Sequence, residues 1–230
     1  MEAESITRIA GLIGESGRIR MLTVMLDGNG HPASELAIAA DVSAQAASSH
    51  LAKLLKGGLI VSERHGRQRL FQLKNTDVAV AVEALGALAT QRASPHAMPE
   101  LRFARTCYDH LAGALSIAVR DNLLQMGALR SHQNDYALTQ QGERFLRRLG
   151  IDAAPLRTLR RSFARKCLDW TERHHHIGGA VGAALLSRFF EMKWIARLRQ
   201  TRAVRITEEG ERQFEKMFGV RCAGLRFRQR

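Results

Sequence analysis

The chain has 230 residues, 45% of them hydrophobic, with 35 Lys and Arg against 22 Asp and Glu and a formal net charge of +13. Its length allows one large or two small domains, no apolar run approaches the ~18 residues of a membrane-spanning helix, and the start MEAESITRIA lacks the basic segment and apolar core of a secretory signal. Three cysteines are too few for a disulfide scaffold, so reduced thiols in a cytoplasmic protein are expected, and the excess positive charge points to a polyanionic partner, nucleic acid ahead of an anionic membrane surface.

The first half is patterned for helices. Ile6, Ile9, Leu12 and Ile13 fall at helical spacing, and Ile19, Leu22, Met25 and Leu26 form a second series with Ser16 as its expected N-cap. Asp27-Gly28-Asn29-Gly30 ends that helix, Pro32 suits the start of a third, and Leu36, Ala39 and Ala40 would form its inner face before a break near Asp41-Val42. Ser43 then caps SAQAASSHLAKLLKGG, with Ala47, Leu51, Leu54 and Leu55 facing inward. What remains outside is small and polar: Gln45, Ala46, Ser48, Ser49 and Lys53. A helix that enters a DNA major groove about 12 Å wide needs such a face, although a solvated surface helix is the competing reading.

Gly57-Gly58 closes this helix. Leu59-Ile60-Val61 and Leu70-Phe71-Gln72-Leu73 read as two strands around the turn His65-Gly66-Arg67-Gln68-Arg69, a hairpin on which Arg64, Arg67, Gln68 and Arg69 reach toward backbone phosphates. With these residues in order, the run Val42-Ser43-x4-Ser48-Ser49-His50-Leu51-x2-Leu54-x3-Gly58-Leu59-Ile60 and the arginine turn resemble the ArsR/SmtB family of winged-helix repressors over roughly residues 5–92. The resemblance implies that Ser43, Gln45, Ser48, Ser49 and His50 sit at or near the groove, and that the chain dimerises through its first helix and the helix at about 76–92. For His50, helix packing or a phosphate contact competes with base readout. The family's thiol sensing site has no counterpart in Glu35–Asp41, which contains no cysteine, and residues 75–92 offer Asp77 and Glu83 but no histidine for its zinc site.

Residues 1–98 carry 10 basic and 9 acidic residues, leaving 25 and 13 for 99–230, so the second half holds nearly all the excess charge. Ala93–Pro99 reads as a linker, which gives a domain at 1–93, a connection at 94–100 and a second domain at 101–230. That second domain is duplicated, with copies at about 101–150 and 160–219. Arg105-Thr-Cys107-Tyr-Asp109 matches Arg165-Lys-Cys167-Leu-Asp169. His110-Leu-Ala-Gly-Ala matches His176-Ile-Gly-Gly-Ala, and Tyr136-Ala-Leu-Thr139-x2-Gly142-Glu-Arg matches Val204-Arg-Ile-Thr207-x2-Gly210-Glu-Arg. Each copy reads as helix, strand, loop, strand and a helix capped by Thr139 or Thr207, so the fold expected is mainly α with small β-hairpins: one winged helix-turn-helix domain, then two winged-helix-like repeats.

The second copy carries an insertion, Trp170-Thr-Glu-Arg-His174-His175. Cys107, Asp109, His110, Cys167, Asp169, His174 and His176, with His175 beside them, therefore form two clusters that a pseudo-twofold axis would bring face to face. Three readings stand: a structural role with LAGA and IGGA packing helices closely, a site for an effector or a metal such as zinc, and a redox-sensing thiol. The second half is also similar to long ArsR-like regulators with Cys-Tyr-Asp-His and Cys-Leu-Asp-Trp segments, a resemblance that carries no known ligand. A thiol enzyme built on Cys107 and His110 lacks an oxyanion-hole loop, a phosphate cradle or paired carboxylates. Taken together, these features predict a sequence-specific DNA-binding regulator, a homodimeric repressor answering to an effector on the second half; an architectural protein coating DNA without an operator is the alternative.

Overall fold

The computed structural model describes residues 3–66, 68–89, 99–198 and 201–226; Arg67 and most of the expected connection at 94–100 lie outside them. The chain divides into two compact units, Met1–Glu83 and Ala84–Arg230. Helices dominate both, joined by short antiparallel hairpins. Among the described residues no helix is long and apolar enough to cross a membrane.

In the first unit the order is α1 (Ala3–Ile13), α2 (Ser16–Val24), a 3₁₀ turn (Met25–Asp27), β1 (His31–Pro32), α3 (Ala33–Ala40), α4 (Ala44–Lys56), β2 (Ile60–His65) and β3 (Gln68–Leu73); α5 (Thr76–Ala89) follows. The strands form one antiparallel sheet in the order β1-β3-β2, with Arg64 opposite Arg69 and His65 opposite Gln68 at its tip. Met21, Leu22, Met25, Leu36, Ala47, Leu51, Leu54 and Phe71 are buried between helices and sheet, and this burial fixes which face of α4 is left outward.

Three local expectations change. Glu15, not Ser16, caps α2, because its carboxylate accepts from the amides of Gly17 (3.0 Å) and Arg18 (2.9 Å), placing a negative charge at the helix's positive end. Pro32 belongs to β1, paired with Leu70, and stands at the N-cap of α3. Ala39 is exposed, and Ala37 takes its place on the inner face of α3 beside Leu36 and Ala40.

Buried His31 lies between two carboxylates, with Nε2 2.9 Å from Asp27 Oδ1 and Nδ1 3.2 Å from Glu35 Oε1. Burial pushes its imidazole down, but Asp27 and Glu35 outweigh that and hold it above its ordinary value of 6.5. A group raised on folding stabilises fully below its unfolded pKa and loses that contribution as pH rises through the folded one. Thermal melts are therefore expected to show the first unit losing stability as pH rises above 6.5, and His31→Gln should flatten that part of the profile.

The second unit repeats one plan. Its first copy runs α6 (Pro99–Phe103), β4 (Arg105–Cys107), β5 (His110–Ala112), α7 (Ala114–Gln125), β6 (Leu129–His132), β7 (Asp135–Leu138) and α8 (Gln140–Arg148). The second runs α9 (Ala153–Arg157), β8 (Lys166–Leu168), β9 (His175–Ile177), α10 (Gly179–Glu191), β10 (Ile195–Arg197), β11 (Val204–Ile206) and α11 (Glu208–Phe218), and α12 (Cys222–Arg226) closes the described chain. Thr139 and Thr207 cap α8 and α11, accepting from Gly142 and Gly210 at 3.1 and 2.9 Å.

The copies interlock reciprocally. The amide of Thr106 donates to Arg202 and that of Val204 to Ala104; in mirror fashion Lys166 donates to Asn134 and Tyr136 to Ala164. Helix α10 packs against β5 of the other copy and α7 against β9, over a shared core in which Phe189, Trp194, Phe214 and Phe218 stack edge to face or in parallel.

Each Cys-x-Asp segment forms a hairpin ahead of the long helix, a departure from the helix packing expected of LAGA and IGGA. Leu111 and Ala112 are strand residues, and Gly113 and Gly179 turn the chain from hairpin into helix with φ of +89° and +76°. Side chains are excluded there, since a Cβ on Gly113 would stand 2.7 Å from the Arg102 carbonyl and one on Gly179 2.5 Å from that of Ser162.

Candidate nucleic-acid interface and buried Cys/His centre

Helix α4 begins where Ser43 Oγ accepts from the Ala46 amide at 3.1 Å, and its Ala47/Leu51/Leu54 stripe anchors it to the core. Ser43, Gln45, Ser48, Ser49 and Lys53 are consequently exposed, and Ala46 is half-buried. The Ser48 hydroxyl donates back to the Ala44 carbonyl at 2.9 Å, which fixes its rotamer while its oxygen stays able to accept. The face is slim, has no acidic side chain and ends in Lys53, as suits close approach to a polyanion.

His50 is placed differently from the rest. It is half-buried, with Nδ1 3.4 Å from Glu15 Oε2 and 3.5 Å from Arg18 Nη1, against Gly17 at the start of α2. It ties α4 to α2, in line with its packing reading and away from base readout. On the hairpin Arg64, Gln68 and Arg69 are exposed; Arg69 donates to Ser62 Oγ at 2.9 Å and lies over the Phe71 ring. Arg67 lies outside the described residues.

In the second unit the two hairpins bring four predicted residues together. Cys107 pairs with His110 across β4–β5, and Cys167 with His176 across β8–β9. Their candidate ligand atoms all lie within 4.8 Å of one another. The sulfurs are 3.9 Å apart and the two imidazole Nε2 atoms 3.1 Å apart. All four side chains are buried, Cys167 being the most accessible at 7%.

Two aspartates flank the cluster. Asp109 Oδ1 lies 3.2 Å from His110 Nδ1, and its other oxygen accepts from Arg161 of the second copy. Fully buried Asp169 has Oδ2 3.5 Å from His176 Nδ1 and accepts from the Gly113 amide (2.7 Å) of the first copy, from the Thr171 amide (2.9 Å) and hydroxyl (2.7 Å), and from the Glu172 amide (3.1 Å). Arg105, 0% exposed, places Nη2 3.1 Å from Asp169 Oδ1 and donates to the Leu101 carbonyl, with Trp170 over its guanidinium at 4.8 Å.

Burial pushes both carboxyls up, yet His176, Arg105 and Thr171 hold Asp169 well below the usual carboxylate range, and His110 and Arg161 lower Asp109. The imidazoles move the other way. Burial lowers them, but Asp169 and Cys107 bring His176 to about 9, and Cys107 and Asp109 raise His110.

His174 does not join the four. The insertion makes a turn, and strand alternation then points His176 inward while His174 and His175 stay exposed. Sequence reading missed Arg161, which has no matching motif, and the role of Arg105. The pairing of Arg105 with Arg165 between copies was visible, but the carboxylate partners cross from one copy to the other.

No family model matches the chain. It is 43% identical over 223 residues, 94% of its own length and 98% of the relative's, to YdfF of Bacillus subtilis (strain 168), an uncharacterized HTH-type transcriptional regulator. The chain belongs to the HTH-type transcriptional regulators. It is thus a regulator with a winged-helix DNA-binding unit rather than an enzyme, as the ArsR/SmtB resemblance of the first half implied.

Solved structures align with a smaller part of the regulator. The winged helix-turn-helix domain of a possible ArsR-family regulator from Mycobacterium bovis aligns at 20% identity and a TM-score of 0.37, over 41% of this chain and 87% of that one. Reduced HlyU from Vibrio cholerae does so at 26% and 0.35, over 37% and 90%, and the cadmium sensor CMTR from Mycobacterium tuberculosis at 28% and 0.31, over 38% and 88%.

Proposed function

We propose that this regulator is a cytoplasmic homodimeric repressor that reads an operator in double-stranded DNA, through Ser43, Gln45, Ala46, Ser48 and Ser49 with Lys53 on phosphate, while Arg64, Arg67, Gln68 and Arg69 hold the backbone. The observation that carries this reading is the outward face of α4, held by a buried stripe and left free of acidic side chains beside a cationic hairpin tip. Exposed Ile6 on α1, and exposed Leu85 and Leu88 on α5, are apolar positions that a second copy would cover, which supports dimerisation. Two α4 helices in successive major grooves would address half-sites about one helical turn apart.

Release from DNA is assigned to an effector acting on the second unit, to the extent that the effector prefers one state of the protein. The Cys/His centre there supports a bound metal ion such as zinc: thiolate and imidazole are donors for such an ion, and the two histidines bring their Nε2 atoms together with a carboxylate behind each ring.

The division of labour is tested by two substitutions measured on operator and unrelated duplexes over a salt series. Gln45→Ala is expected to relax sequence preference by about 1–3 kcal/mol. Arg64→Ala should weaken all sequences alike and lower the salt slope by about one. The opposite pattern, with Arg64→Ala changing preference and Gln45→Ala without effect, would contradict the proposed interface.

A further inference from the structure

We infer that Cys107, His110, Cys167 and His176 together bind one tetrahedral divalent ion of the zinc class, as a closed structural clasp between the two repeats of the second unit. This deepens the metal reading above and rests on it, and it does not depend on how DNA is read.

Each repeat supplies one sulfur and one nitrogen from a single rung of its first hairpin, so the set is a pseudo-twofold S₂N₂ site rather than a chance cluster. The distances match. Zn–S bonds of about 2.3 Å and Zn–N bonds of about 2.0–2.1 Å at tetrahedral angles separate the sulfurs by about 3.8 Å and the nitrogens by about 3.3 Å; here the separations are 3.9 and 3.1 Å. Without an ion, two imidazole Nε2 atoms at 3.1 Å can share a single hydrogen bond. With one, both lone pairs would point to a common centre, leaving the Nδ1 of His110 3.2 Å from Asp109 and that of His176, which has no hydrogen-bond partner among the described residues, 3.5 Å from Asp169.

Charge reinforces the assignment. A divalent ion neutralises two thiolates, while Asp109 and Asp169 are answered by Arg161 and Arg105, so the loaded centre is neutral overall despite its burial. The backbone makes room for the rings: a Cβ on Gly178 would stand 3.3 Å from His110 Nε2, and one on Gly182 3.1 Å from His110 Cβ.

The donor set also decides the kind of site. All four ligands are buried, and among the described residues no further His, Cys, Asp or Glu joins their group, the arrangement of a structural centre rather than of one with an open position for a substrate. The aspartates bond across the repeat boundary in both directions, so the ion and its outer contacts fasten the same seam.

The full-length chain, purified without chelator, is analysed for metal and then exchanged with Co²⁺. The expected results are roughly one zinc per chain, and a Co²⁺ form with the intense visible bands of tetrahedral cobalt and a near-ultraviolet thiolate charge-transfer band. Cys107→Ser combined with Cys167→Ser should lose the ion, whereas His174→Ala, at an exposed position, should keep it and its spectrum. Because the double variant can fail to fold, stripping the wild-type chain with a strong chelator provides a second readout. Near-ultraviolet dichroism of Trp170 and Trp194 should collapse and return on adding back Zn²⁺.

A six-coordinate cobalt spectrum without the thiolate band would overturn the clasp and leave a metal protein of another kind. Absence of any ion would overturn both this inference and the metal reading. A chelator that lowers operator affinity at least tenfold while the tryptophan signal stays native would show an exchangeable signalling ion, and the structural role would fall.

Discussion

Asp169→Ala is expected to destabilise the second unit by about 3–5 kcal/mol, the cost of leaving a buried charge without its partner. Asp169 answers Arg105, which is 0% exposed and cannot turn to solvent. The same carboxylate takes up the amides of Gly113, Thr171 and Glu172, so its removal orphans several donors at once. Both tryptophans of the chain, Trp170 and Trp194, lie in this unit, so denaturant unfolding followed by their fluorescence reports on it alone. Asp169→Asn should cost less than alanine because an amide oxygen can still accept. Arg105→Met added to Asp169→Asn should cost less than the two single changes summed. A loss below about 1 kcal/mol for Asp169→Ala, the range of exposed pairs, would show that the seam is not held this way.

Gly142→Ala and Gly210→Ala should each destabilise the same unit by about 1–3 kcal/mol or more, and by similar amounts. A Cβ at Gly142 would lie 2.1 Å from the Ala128 carbonyl oxygen and one at Gly210 2.0 Å from that of Trp194. Neither carbonyl can retreat freely, because each also accepts the amide of its helix-capping threonine, Thr139 or Thr207. Gly11→Ala in α1 is the control: nothing lies within 4 Å of its would-be Cβ, and helix propensity favours alanine by up to about 1 kcal/mol. Melting temperatures that drop for both of these first-turn glycines of α8 and α11 and hold or rise for Gly11 would bear out the duplicated geometry; equal behaviour at all three would contradict it.

Most of the first unit was legible because it depends on local rules. The Ala47/Leu51/Leu54 period, the Ser43 cap and the Gly57-Gly58 stop define α4 without reference to the rest of the chain. Where a charged side chain reached an unexpected partner, the reading slipped: Glu15 displaced Ser16 as a cap because a carboxylate serves two amides, and the same residue drew His50 inward. In the second unit the duplication was visible as repeated words, and the threonine caps followed from it. Hidden were the short hairpins, whose three-residue strands around Cys107 and Cys167 are too brief to show alternation. Their assembly into one centre depends on bonds between residues about 60 positions apart, such as Arg105 with Asp169, which no local pattern encodes.

The most direct test of the central claim, that α4 and its hairpin read a particular DNA sequence, is a competition titration of the full-length chain between duplexes from its own upstream region and scrambled duplexes of equal length and composition, at fixed salt. Specific reading predicts a preference of about 10³ or more for one segment, reduced toward unity by placing Asp at both Ser48 and Ser49, whose side chains are exposed on α4. Equal affinity for every duplex, with a competition ratio that does not respond to those substitutions, would instead describe a protein that coats DNA through charge alone.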